Sequence, residues 1–184
     1  KYFKINQGLW KGYTLWDLYN KAHTPLKWHK ELFKYGKSLG IKVFSTPFDD
    51  TSVDFLEKLN CPFYKVASFE MTDLPLIKKI AKTKKPMIIS TGMASKKEIF
   101  EAIECAKSNG CRNLAILKCT STYPAPVNEI NLNTIEDMRK EFKCEVGLSD
   151  HTLGIGVPLV AISKGATLIE KHFTLSRKIK SPDS

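Results

Sequence analysis

Short apolar or β-branched runs recur along the chain, each ending in small polar residues and each followed by apolar positions at helical spacing. The runs Lys42–Ser45, Phe63–Ala67, Pro86–Ser90, Asn113–Lys118, Glu145–Leu148 and Thr167–Phe173 read as strands. Their apolar character suits strands buried on both faces. Between them the spacing predicts helices over Ser52–Leu59, Leu74–Ala81, Ser95–Ser108, Asn133–Phe142 and Val157–Lys164. Asp73 is placed to cap its helix. Ser95, with Glu98 three residues on, forms a capping box. Asn109-Gly110 and Gly165 read as C-terminal stops. Residues Lys1 to about Thr24 are aromatic-rich and irregular and read as a long insertion, and Pro25–Gly40 reads as a helix leading into the strand at Lys42.

Units of roughly 20 to 30 residues are those of a βα repeat. The expected fold class is α/β, a TIM-type (β/α)8 barrel. About six strands are counted here against the eight that close such a barrel, so an incomplete barrel is expected, with the first two strands missing. On this expectation 1–184 is a partial catalytic βα barrel, 1–24 its insertion and 25–184 its βα units. The chain opens on Lys1-Tyr2-Phe3 without a Met, and is expected to be an excerpt of a longer protein. An open doubly wound sheet is the alternative, since periodicity does not show closure.

Composition narrows the function classes. No apolar run approaches the roughly 20 residues of a membrane span, so no membrane partner is expected. The five cysteines form no Cys-x-x-Cys pair, and their odd number argues against a disulfide framework. Free thiols in a reducing cytoplasm are the simpler expectation. Cys119 ends a strand, but no activating partner stands beside it in the sequence. The net charge is +10 and the pI about 9.3. The lysines are scattered as helix-surface pairs such as Lys78-Lys79 and Lys96-Lys97, with no aromatic-interleaved stripe. A solvated basic surface that attracts anionic substrates fits better than nucleic-acid binding.

Polar residues gather where the runs end. In order these ends are Ser45-Thr46-Pro47, Lys65 through Glu70, Ser90-Thr91-Gly92, Lys118 through Ser121, Ser149-Asp150-His151 and Glu170-Lys171-His172. The opposite ends carry turn residues, such as Asn60-Cys61-Pro62 and Lys164-Gly165-Ala166. In βα folds the C-terminal strand ends carry function. Strand alternation puts Glu170 with His172 on one face and Lys171 on the other, and Ser149 with His151 opposite Asp150. Two imidazoles from neighbouring strand ends suit a divalent metal with open positions, and the mixed donors would accept Mn²⁺, Zn²⁺ or Fe²⁺. A lone histidine is more often a packing residue, and His23 and His29 are read that way. Lys65 with the hydroxyls Thr46, Ser68, Ser90, Ser121 and Ser149 could form a ring of anion donors. Each hydroxyl could instead cap the next helix. Glu70 is a candidate acid/base, or else a solvated loop charge.

These motifs resemble the sialic acid synthase family. The resemblance is carried by Phe44-Ser45-Thr46-Pro47-Phe48-Asp49, by Tyr64-Lys65-Val66-Ala67-Ser68-Phe69-Glu70 and by Ile89-Ser90-Thr91-Gly92-Met93. It continues through Lys118-Cys119-Thr120-Ser121-Thr122-Tyr123-Pro124-Ala125-Pro126, Gly147-Leu148-Ser149-Asp150-His151-Thr152 and Ile169-Glu170-Lys171-His172-Phe173-Thr174. The segment Leu9-Trp10-Lys11-Gly12-Tyr13-Thr14-Leu15-Trp16-Asp17 and the ending Pro182-Asp183-Ser184 are similar to the branch that makes pseudaminic acid. The resemblance implies condensation of phosphoenolpyruvate with an open-chain amino sugar, with loss of phosphate and a divalent metal, Mn²⁺ foremost. It implies that His151 and His172 hold the metal, that Lys65, Thr46, Ser68, Ser90 and Ser149 bind phosphoenolpyruvate, and that Glu70 is an acid/base group. Ser121 and Tyr123 would meet the sugar, Asp183 would touch sugar or metal, and Glu170 joins the site without a defined role.

The resemblance also implies a homodimer and a C-terminal antifreeze-like domain, which is expected to be absent from residues 1–184. Ser181 stands where the family usually has Gly, and the family's first-strand Glu and second-strand Lys and Gln have no counterpart. The chain alone is therefore expected to be inactive. Synthases for N-acetylneuraminic or legionaminic acid are the nearest alternatives. A Schiff-base aldolase using Lys65, Lys118 or Lys171 and a catalytically dead binding module are the others.

Overall fold

A computed structural model describes residues 3–7 and 10–179. The chain divides into two compact units, with the break between Val43 and Phe44. The helix expected to open the βα series therefore lies in the first unit.

That unit holds α1 (Leu15–Ala22) and α2 (Leu26–Ser38). α1 corrects the expectation of an irregular insertion. Thr14 caps it by accepting from the Asp17 amide at 3.1 Å, and its hydroxyl donates to the Asp17 carboxylate at 2.6 Å. An isolated antiparallel bridge, Lys4 with Thr14, precedes the helix. His29 is buried, with Nδ1 at 3.3 Å from the Pro25 carbonyl, in keeping with a structural role.

The second unit, Phe44–Phe173, alternates helix and strand. It comprises α3 (Asp50–Lys58), β1 (Tyr64–Val66), α4 (Leu74–Ala81), β2 (Met87–Ser90), α5 (Lys96–Ser108), β3 (Leu114–Cys119), α6 (Thr134–Phe142), β4 (Glu145–Asp150), α7 (Gly156–Ser163) and β5 (Ile169–Lys171). The caps act as their chemistry requires. Asp49 and Asp73 accept from backbone amides three residues on, and the Ser95–Glu98 capping box is complete. Gly110 and Gly165 follow their helices at φ +108° and +89°, where a Cβ would be strained.

The five strands are all parallel, in the order β1-β2-β3-β4-β5. This sequential order lacks the reversal that defines a doubly wound sheet. Among the described residues five strands form where six were expected. Residues Lys42–Ser45 form no strand. β1 is only three residues long, and its partner is β2. Phe44 instead stacks on Phe63, ring centroids 4.2 Å apart.

Register sorts the side chains into two faces, because paired residues of parallel strands point the same way. Val66, Ile89, Ile116 and Val146 form one row, each at most 1% exposed. They face the helix layer, where α5 packs on β3 and both α6 and α7 pack on β4. The other face carries Lys65, Ser90, Cys119, Ser149 and Glu170.

The sheet is strongly curved. In a flat sheet β1 and β5 would stand about 19 Å apart, yet Lys65 on β1 meets Glu170 on β5 at 3.3 Å. Curvature brings neighbouring backbones close at Gly147, where a Cβ would sit 2.3 Å from the Leu168 carbonyl oxygen. Among the described residues no helix is long and apolar enough to cross a membrane. Gly147→Ala is expected to cost about 1–3 kcal/mol, because the clash is with backbone; urea unfolding checks this, and an unchanged midpoint would contradict it.

Candidate active site

The concave face of the sheet collects the polar groups at its C-terminal rim. Glu170 is held from two directions. Ser149, its register partner on β4, donates to Oε1 at 2.6 Å, and Lys65 reaches Oε2 from across the curve at 3.3 Å. The Lys65 side chain is 8% exposed and the Glu170 side chain 36%, so the ammonium end is the more desolvated.

Two polar atoms nearby are buried without a partner, Ser90 Oγ and Glu70 Oε2. Such atoms cost free energy unless something satisfies them. Burial lifts the Glu70 carboxyl above the usual carboxylate range. Its own backbone amide and Lys65 oppose that shift, and Asp73 adds to it.

His151 and His172 follow β4 and β5, and their ring centroids are 5.3 Å apart. Tyr123 lies against both, 4.2 Å from His151 and edge-on to His172 at 5.8 Å. His151 Nδ1 is 2.9 Å from the Thr120 carbonyl. A carbonyl only accepts, so Nδ1 carries the hydrogen and Nε2 is left as the reactive nitrogen of the neutral ring. That is the arrangement of a ligating histidine oriented by its backbone.

The pair thus fits two positions around a divalent ion. Among the described residues no group of three or more His, Cys, Asp and Glu side chains is set to hold a metal. The remaining positions would fall to other donors.

The sequence shows no partner beside Cys119, but the fold supplies one. The imidazole that influences it stands 32 positions on, at His151. Burial pushes the thiol up, but the His151 imidazole and the Ser121 and Ser68 hydroxyls outweigh that and hold it at about 7. Burial likewise lowers His151, while Cys119 and the Thr120 carbonyl carry it above its usual value. Gly92 is not among the residues expected in the site. A Cβ there would lie 2.3 Å from Ser121 Oγ and 2.9 Å from Ser68 Oγ, so the glycine lets these hydroxyls converge. The only hint in the sequence was its place in a Ser-Thr-Gly strand end.

Several expected residues fall elsewhere. Thr46 is half-buried, follows the stretch that forms no strand and makes no hydrogen bond among the described residues. Asp183 lies outside the described residues. Lys118 and Lys171 sit on the helix-facing side, where Lys118 bonds to Thr120 Oγ1 at 2.5 Å and Lys171 pairs with Asp150. Of the three lysines considered for a Schiff base, only Lys65 faces the site.

The profile of the NeuB family matches residues 1–184. Pseudaminic acid synthase of Helicobacter pylori is 43% identical over 182 residues, which is 99% of this chain and 54% of that protein. N,N'-diacetyllegionaminic acid synthase of Campylobacter jejuni is 46% identical over 169 residues, 91% of this chain and 51% of that protein. The crystal structure of N-acetylneuraminic acid synthetase from Leptospira borgpetersenii, in complex with citrate, superposes with a TM-score of 0.85 at 30% identity. That match covers 91% of this chain and 58% of that one. The chain spans about half the length of the curated relatives it matches.

Glu170→Ala would leave the Lys65 ammonium buried without its counter-charge. The expected loss is about 2 kcal/mol, below the roughly 3–5 of a fully buried pair because Glu170 is partly exposed. Denaturant unfolding measures it, and the Lys65→Met/Glu170→Ala double variant should lose less than the two single variants summed.

Proposed function

The chain belongs to the NeuB family, and on that premise we propose that it forms the greater part of the active site of a pseudaminic acid synthase. The reaction is metal-dependent condensation of phosphoenolpyruvate with 2,4-diacetamido-2,4,6-trideoxy-altrose, with release of phosphate. The curved parallel sheet is read as part of a closed (β/α)8 barrel completed by strands outside this chain. The sequential strand order and the Lys65–Glu170 contact across the curve support that reading.

One observation carries the assignment. A desolvated lysine and two buried, unpartnered polar atoms share the strand-end rim with a pair of facing imidazoles. An anion and a metal-bound carbonyl are the ligands that such a set satisfies together. Lys65 binds the acidic end of phosphoenolpyruvate as a point charge, held in place by Glu170. Ser90 and Ser68 supply hydroxyl donors, and Ser149 positions Glu170. Thr46 joins this group by the resemblance alone. Ser121 and Tyr123 line the acceptor side, as does Asp183 by resemblance.

His151 and His172 would hold the metal, with Mn²⁺ the expected ion. When bound, the ion polarises the aldehyde carbonyl of the open-chain sugar. Phosphoenolpyruvate C3 would bond to the aldehyde carbon as water adds to C2, and phosphate would then leave C2 with its bridging oxygen while the added water's oxygen becomes the ketone. Glu70, whose carboxyl keeps its proton to higher pH than an exposed one, serves the proton transfer at the aldehyde oxygen. A homodimer, cytoplasmic location and the absence of nucleic-acid and membrane partners belong to the same reading. The homodimer rests on family resemblance, and the others on composition.

Incubation of the intact protein with phosphoenolpyruvate, Mn²⁺ and the altrose acceptor is expected to release phosphate stoichiometrically with product, and EDTA to stop it. Faster turnover of an N-acetylmannosamine or legionaminic-type acceptor would transfer the protein to a neighbouring branch. Glu70→Gln is expected to lower kcat by about 10²–10⁴-fold. It should also remove a limb of the kcat–pH profile lying above the ordinary carboxylate range; a profile with the same limbs in the variant would assign the proton transfer elsewhere.

A further inference from the structure

Asp150 and Lys171 immediately precede the two histidines and are register partners on β4 and β5. They point to the helix-facing side, away from the site. Lys171 Nζ donates to Asp150 Oδ2 and to the Thr152 carbonyl at 2.7 Å. Asp150 Oδ1 accepts from the Thr152 amide at 3.0 Å and from its hydroxyl at 2.8 Å. The Asp150 side chain is 0% exposed. His151 thus lies between two residues tied to one carboxylate and one ammonium. On its own account it donates to the Thr120 carbonyl, and its carbonyl accepts from the Ala125 amide at 2.9 Å.

We propose that the Asp150–Lys171 pair positions the two imidazoles for metal binding, a step beyond the reading of His151 and His172 as ligands and resting on it. Neither side chain touches metal or substrate; both are positioning residues. Stability does not account for the pair, because buried ion pairs are commonly no better than apolar residues of the same volume. Register does. A slip of one residue between β4 and β5 would move His172 to the helix-facing side and abolish the pair. β5 is only three residues long, so backbone bonds alone give it little to hold its register. The ion pair locks it one residue before each imidazole. The second bond, from Lys171 to the Thr152 carbonyl, fixes the chain just beyond His151.

The test is Mn²⁺ affinity of the intact protein, followed by loss of the free-ion electron paramagnetic resonance signal. Wild type is compared with Lys171→Met, Asp150→Asn, Lys171→Arg and His151→Ala. Lys171→Met and Asp150→Asn are expected to weaken Mn²⁺ binding about tenfold or more, as supporting groups behind metal ligands do. Phosphoenolpyruvate affinity without metal should stay within about twofold, since Lys65 and Ser90 are untouched. Lys171→Arg keeps donors for both bonds and should restore most of the affinity. Ile135→Val, a core change in α6, controls for general loosening.

Brace variants that bind Mn²⁺ as wild type does, while His151→Ala does not, would overturn the inference and leave the metal site standing. An equal loss in Ile135→Val would also overturn it, as a merely structural effect. A wild-type protein that binds no Mn²⁺ would sink the metal reading itself, and the inference with it.

Discussion

Glu170 is bonded by its neighbour Ser149 and by Lys65, which comes from the far edge of the same sheet. A contact between first and last strand cannot form in a flat sheet, so it requires the curvature that makes the face concave. The curvature in turn brings Ser90 and Glu70 to the same rim as the two histidines. Much else follows from keeping that curve. Gly147 has no side chain because the Leu168 carbonyl occupies its space, and Gly92 has none because two hydroxyls do. The helix-facing row of Val66, Ile89, Ile116 and Val146 supplies the burial that holds the strands to it.

A division of labour runs through the strand ends. Alternation sends one residue of each neighbouring pair into the site and the next into the helix layer. Lys65, Ser149 and Glu170 go inward, while Lys118, Asp150 and Lys171 go outward. The inward three bond to one another beside Ser90 Oγ, which is buried without a partner. The outward ones are satisfied within the protein, Lys118 by Thr120 and Lys171 by Asp150 and Thr152. The same chemistry, lysine beside hydroxyl or carboxylate, thus lines the concave face on one side of the sheet and ties strand to loop on the other.

Most of this was legible along the chain. Apolar runs and their caps gave α4 with both its ends and β1 to β5 within a few residues. Alternation placed Lys171 outward and the histidines together. The strand at Lys42–Ser45 was misread because an apolar run measures burial and says nothing about whether a backbone partner is available. α1 was missed because exposed aromatics such as Trp16 and Tyr19 blur its apolar stripe, although Thr14-x-x-Asp17 was a capping signal in plain view. The Cys119–His151 and Lys65–Glu170 contacts join residues far apart in the chain, and no local pattern carries curvature.

The Lys65–Glu170 pair also has a kinetic meaning. A free lysine at the bottom of such a hollow would hold a shell of water that each arriving anion must strip. Here the ammonium has already shed most of its water in favour of a carboxylate, itself one-third open to solvent. On the proposed reading an incoming acid would meet a cation that is dry and aimed, and its task would become one of exchange, displacing or sharing a counter-ion. Ligand capture in this half-open bowl would then resemble ion exchange on a resin more than the hydration-limited docking of a charge on a bare surface.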